Sequence, residues 1–231
     1  WFFIDRTGRR LCAADEPDDT FPRGTVRYSP PANRIAEITA AKEYDACIIL
    51  IRHAEREPFQ RGEPGPSKQL TERGREQAAA LGARLPKIRA AYASPMTRCM
   101  QTAELIAGKP AEASTMLGDP GAFIYDNALS HEFYCRTSTI AAIRSYIQGD
   151  VLPGHYPIRE GAKRILSFLK SLAQENGTVL CVTHDAFAVS LIAVMTGADF
   201  SDDWLDFLDG CVIFRRGTNW TLVWRGGEAE I

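Results

Sequence analysis

Three short stretches hold side chains that could act together: Arg52, His53 and Arg56 in "LIRHAEREP", Arg98 in "SPMTRCMQT", and His184 with Asp185 in "VTHD". Each follows an apolar, strand-like run. Ligands of open α/β sheets bind at the carboxyl ends of the strands, so such stretches can converge on one point. Three guanidinium groups and two imidazoles there make an anion site, because the planar fork of arginine matches phosphate oxygens. Helix N-termini near Pro95 and Ala186 would add backbone N–H groups.

A histidine inside such a clamp can do more than bind. Neutral imidazole attacks phosphorus, and arginines neutralise the charge on the group in transfer, so the expected chemistry calls for no metal and no cofactor. The leaving alcohol needs a proton, for which Asp185 is the first candidate and Glu132 the alternative. Ordinary roles compete with these: Asp185 is a favoured N-cap for the helix after it, and Arg56 could pair with Glu55 or Glu57.

These residues need a scaffold, and from Asp45 onward the pattern alternates buried strands with amphipathic helices. The reading is an α/β fold, a three-layer α/β/α sandwich whose sheet is mostly parallel with an edge hairpin. Strands are expected at 46–51, 89–93 and 178–182, and the hairpin at 211–215 and 221–224. Thr71 should cap a helix over 72–85, Ser94-Pro95 should open one over 96–107, and others should cover 160–174 and follow Asp185.

Residues 1–45 read as an arm packed on the core, with one helix near 34–42. Residues 46–231 form the main domain. Within it, the Gly-, Pro- and aromatic-rich stretch at about 109–158 reads as an irregular, lid-like insertion over the site. Phe123, Tyr125, Tyr134, Arg136, Arg144, His155 and Tyr156 are its candidates for substrate contact.

Composition limits the partners. Twenty-seven Lys and Arg against 29 Asp and Glu leave a net charge of −2, so no global field favours nucleic acid or an anionic membrane. The longest apolar stretch, 186–195, is too short to span a bilayer. Six scattered cysteines without a CxxC pair argue against a zinc knuckle, favour reduced thiols and suit a cytoplasmic setting. The chain opens on Trp1, so it reads as trimmed, processed or cut from a longer protein. Oligomeric state leaves no trace in the sequence.

"RHAEREP", "LTERGREQA", "SPMTRCMQTAELI" and "VTHD", in this order, resemble the histidine phosphatase superfamily with its phosphoglycerate-mutase-like fold. The resemblance implies a phosphomonoesterase working through a phosphohistidine; the neutral chain with its inserted lid suggests an enclosed pocket and so a small phosphorylated metabolite such as a sugar, polyol or nucleotide phosphate. It implies His53 as nucleophile, Arg52 and Arg98 as phosphate clamp, and His184 as the second histidine on the phosphoryl oxygens. Arg56-Glu57-Pro58 and the His184-Asp185 pair resemble the acid-phosphatase branch, in which the aspartate is the proton donor. Ala54 departs from the glycine often found there. The alternatives are a mutase-type phosphotransferase using Glu132 and a non-catalytic phosphate-binding module.

Overall fold

The computed structural model of the chain describes residues 31–58, 67–202 and 204–231. Seven strands form one sheet in the order β3-β2-β4-β1-β5-β6-β7. β1 (Ala46–Arg52), β2 (Ile88–Ala93), β3 (Glu112–Ala113) and β4 (Gly177–Thr183) run parallel. β5 (Gly210–Arg216) pairs antiparallel with β1, and β6 (Asn219–Trp224) and β7 (Gly227–Glu230) continue the meander. The expected edge hairpin therefore gains a third strand. Its turn, Arg225-Gly226, has positive φ at both residues (45° and 89°), the geometry that suits a tight hairpin.

β1 is apolar at every position from Ala46 to Ile51 because both faces of the sheet are covered. Ile48 and Leu50 point into one core, with α6 (Ile158–Leu172) and α7 (Asp185–Thr196); Cys47, Ile49 and Ile51 point into the other. That second core is closed by α1 (Pro31–Ala40), α2 (Glu72–Gly82) and α3 (Thr97–Ala107). Each fully buried Ile or Leu contributes about 1.5–3 kcal/mol, so this strand anchors both layers. The result is the expected three-layer sandwich.

Local signals shape the helix starts. Thr71 caps α2 by accepting from the Gly74 amide at 2.9 Å, as its position predicts. Ser94 does not cap α3: Met96 holds the cap position, without a side-chain cap bond. Asp185 likewise is the first residue of α7, and His184 is its cap. The irregular reading of 109–158 also needs correction. Alongside a short 3₁₀ turn at Thr115–Leu117, this stretch forms α4 (Asn127–Tyr134), capped by Asp126, and α5 (Thr139–Ile147), capped by Ser138. Both helices are brief and bounded by Gly and turn residues, so their periodicity is faint in the sequence.

Cys47, Cys99, Cys181 and Cys211 are buried free thiols, while Cys135, just after α4, is disulfide-bonded. Among the described residues, no helix is long and apolar enough to cross a membrane. Residues 1–30 of the arm lie outside the described residues.

Candidate active site

Strand register brings the charged stretches together. Arg52 ends β1 opposite Thr183 of β4, and Ala93 of β2 lies opposite Val182, so His53, His184 and Ser94 leave three adjacent strands side by side. The backbone ties these exits: the His53 amide donates to the Thr183 carbonyl at 3.0 Å, and the Ser94 amide to the Val182 carbonyl at 3.0 Å. Arg98, in the first turn of α3, reaches both histidines.

His53 has a defined tautomer. Its Nδ1 lies 2.8 Å from the Ala54 carbonyl oxygen, which only accepts, so Nδ1 carries the hydrogen and Nε2 keeps its lone pair. That Nε2 accepts from Arg98 Nε at 3.1 Å. Arg98 Nη2 also donates to His184 Nδ1 at 3.4 Å, which leaves His184 Nε2 to donate to Ser94 Oγ at 3.0 Å. Burial, reinforced by the Arg98 charge, holds both imidazoles well below the ordinary histidine range. Both are neutral at physiological pH.

Arg52 Nη2 sits 3.2 Å from Asp185 Oδ2, while its Nη1 donates to the Leu205 carbonyl at 2.7 Å. Its guanidinium lies over the Phe207 ring, 4.4 Å from the centroid. Asp185 Oδ2 also accepts from Trp204 Nε1 at 3.0 Å, and Oδ1 from the Ala186 amide at 2.9 Å. Burial pushes the Asp185 carboxyl up, but Arg52 and these two N–H donors outweigh it and hold the carboxyl below its usual range. Asp185 is therefore a carboxylate with both oxygens engaged.

Arg56 is buried at the same pocket and donates from Nη1 to the Glu57 carbonyl at 2.9 Å. Arg52, His53, Arg56, Arg98, His184 and Asp185 all line one cavity. Glu132 does not: it is exposed on α4 and pairs with Arg136 at 3.1 Å, so the structure gives it no reach to the clamp. Its neighbours Ser130 and His131 face the cavity instead. Of the candidates for substrate contact, Phe123, Tyr134 and His155 line the cavity, whereas Tyr125, Arg136, Arg144 and Tyr156 do not.

The "LTERG" stretch works on backbone. Thr71 Oγ1 donates to Glu55 Oε1 at 2.9 Å, and the Thr71 amide to the Glu55 carbonyl at 3.0 Å. A Cβ on Gly74 would stand 2.1 Å from the Glu55 carbonyl oxygen, so this close approach requires glycine. Thr102 on α3 accepts from the Ala54 amide at 3.0 Å, fixing the residue after the nucleophile candidate.

Several contributors escape sequence reasoning. Ser94, read as a helix cap, is instead the partner of His184. Gly118 packs against both: a Cβ there would lie 2.8 Å from His184 Cδ2 and from Ser94 Oγ. Trp204, Leu205 and Phe207, just before β5, each touch Arg52 or Asp185. The one available signal was tryptophan, whose N–H needs a partner when buried.

A seven-stranded α/β sheet thus carries a histidine pair and three arginines at its carboxyl edge. The chain belongs to the histidine phosphatase superfamily, whose branch 1 model matches residues 48–215. A mycobacterial glucosyl-3-phosphoglycerate phosphatase shares the fold at 17% identity and a TM-score of 0.52, over 78% of this chain and 99% of that one. A phosphoglycerate mutase from Thermus thermophilus is 20% identical, with a TM-score of 0.47 over 72% of this chain and 91% of that one. No curated protein matches the sequence significantly.

Proposed function

We propose that the protein is a phosphomonoesterase that works through a phosphohistidine at His53, acts on a small phosphorylated metabolite and draws its positive charge from arginines rather than from a metal. The observation that carries this reading is the His53 tautomer: Nδ1–H bound to the Ala54 carbonyl leaves a neutral Nε2 lone pair beside Arg98, inside a cavity that also holds Arg52, Arg56 and His184. Nucleophile and charge compensation stand in one place before substrate arrives.

A phosphate ester entering the clamp would take the guanidinium donors that now bind His53 Nε2 and Asp185. Freed of part of its stabilisation, Asp185 accepts the proton of the phosphate monoanion. His53 Nε2 then bonds to phosphorus, the P–O bond to the alcohol breaks, and Asp185 returns that proton to the leaving oxygen. In the second half, Asp185 takes a proton from water as its oxygen attacks phosphorus and the P–N bond breaks. Asp185 gives this proton to the departing phosphate, which leaves as the monoanion, so that Asp185 is a carboxylate and His53 neutral again.

Glu132 points away from the clamp, which favours Asp185 over a mutase-type acid on α4. The test is turnover of para-nitrophenyl phosphate in EDTA with acid-quench detection of phosphohistidine. Wild type should turn over, and His53→Ala should neither turn over nor label. Full activity in His53→Ala, or complete loss of wild-type activity in EDTA, would overturn the reading. An Asp185→Asn variant that labels but cannot release alcohol from poor leaving groups would identify the acid.

A further inference from the structure

The cavity continues beyond the clamp, and its walls change character. A chain of ring contacts runs outward from His184: to Phe187 at 6.1 Å, on to Phe123 at 6.0 Å, and to Tyr146 at 6.3 Å. From Tyr146 it passes to His155 at 5.6 Å and ends at Tyr134, 5.5 Å further. All of these rings line the cavity, together with Ile140 and Ile143 of α5.

The polar atoms of these rings are bonded within the protein. Tyr134 Oη donates to His155 Nε2 at 3.1 Å, because His155 Nδ1–H is committed to the Pro153 carbonyl at 2.8 Å. Tyr146 Oη donates to the Tyr156 carbonyl, and Ser190 Oγ to the Ala186 carbonyl at 2.7 Å. Ring faces and aliphatic carbons are what these groups present to a ligand. The other polar side chains of the cavity, Asn127, Ser130, His131 and Thr139, come from α4 and α5, so the ring chain is an apolar stretch within a mixed lining.

Charge tells the same story. Apart from the clamp residues and Asp185, no lysine, arginine, aspartate or glutamate lines the cavity among the described residues. The basic candidates that could meet a second anionic group are elsewhere: Arg136 pairs with Glu132 outside, and Arg144 donates to the Phe200 carbonyl at 2.9 Å. A carboxylate or second phosphate held against the ring faces would lose its water without gaining a Lys or Arg partner among the described residues.

We infer that the site selects phosphomonoesters whose alcohol is apolar and uncharged, aromatic or alkyl, and discriminates against substrates bearing a second anion. The inference rests on the phosphomonoesterase reading for its reaction but on the wall alone for its selectivity. It narrows the substrate class, within small phosphorylated metabolites, to those whose alcohol packs on the rings and carries no second anion.

The test separates the two. Binding of hexylphosphonate and of its ω-carboxylated analogue is measured by titration calorimetry on the full chain, since a phosphonate engages the clamp without being hydrolysed. The apolar ligand should bind at least about tenfold more tightly, because the carboxylate is left unpaired on desolvation. In Ile140→Lys, which places an ammonium on the wall, that ratio should collapse toward unity or invert. The ratio is taken on the same folded molecules, so partial misfolding of the variant does not alter it. Equal or tighter binding of the carboxylated ligand to wild type would overturn the inference. Preference for hexylphosphonate with no turnover of hexyl or para-nitrophenyl phosphate would uphold the selectivity and sink the phosphatase reading.

Discussion

The clamp and the wall of this cavity are built on opposite principles. In the clamp the polar atoms hold interim partners until a phosphate arrives: Arg98 is spent on two neutral histidines, and Arg52 on a carboxylate and a carbonyl. These bonds are exchangeable, since phosphate oxygens offer the same guanidinium groups a better partner. In the wall, Tyr134, Tyr146 and His155 bond only to the protein and have no reason to let go. The difference teaches where reaction and selectivity reside: rearrangeable charge at the strand ends, and fixed apolar shape on α4, α5 and α7.

The sharpest way to break the clamp is His53→Ala, which should lower kcat on para-nitrophenyl phosphate by about a thousandfold or more, read by initial rates. Gly118→Ala comes next. Its methyl group would collide with His184 and Ser94 at a backbone φ of 144°, so a loss of about tenfold to a hundredfold in kcat is expected. Proton NMR should show the His184 imidazole resonances displaced while the wall rings keep theirs.

Phe123→Ala probes the wall. It removes a ring 2% exposed that touches Phe187 and Tyr146, and should destabilise the protein by about 3–5 kcal/mol in urea melts. Among folded molecules, the loss in kcat/KM should be larger for hexyl phosphate than for methyl phosphate. Uniform loss across both esters would erase the distinction between wall and clamp.

Trp204→Phe should have a smaller effect on rate, below about tenfold, because one of the donors to Asp185 is lost while Arg52 and the Ala186 amide remain. Its signature is a pH profile: the Asp185 limb should move upward, toward the ordinary carboxylate value. Stability should also depend on pH with a definite sign. His53 and His184 have folded values depressed below the unfolded value of 6.5, so the native state binds fewer protons there. Their contribution is fully present above 6.5 and is lost as pH falls below it. Asp185 adds to the same loss at lower pH, since its folded value is depressed below 3.8. Chemical denaturation at stepped pH checks the slope, which should flatten in a His184→Gln variant.

The unequal legibility of the two regions follows from how each is encoded. The clamp residues sit immediately after apolar runs or beside helix starts, so strand and cap signals place Arg52, His53, Arg98, His184 and Asp185 almost unaided. Thr71 was legible as a cap for the same local reason. Ser94 was legible for the wrong one: its hydroxyl met both requirements of an N-cap in the sequence, but the neighbouring strand offered it an imidazole. Glu132 had the right chemistry, and α4 turned it toward Arg136 and solvent.

Sequence by itself determined the alternation of strands and helices, the two-sided burial of β1 and the charged exits of three strands, because each rests on spacing along the chain. Tertiary structure alone decided that Trp204, Leu205 and Phe207 brace Asp185 and Arg52, that Gly118 leaves room for His184, and that the aromatic rings of 123–155 line the cavity with their own polar atoms bonded to the protein. Those contacts join residues far apart in the chain. No local pattern encodes them, since a hydroxyl or an indole N–H finds its partner only when packing has brought the two together.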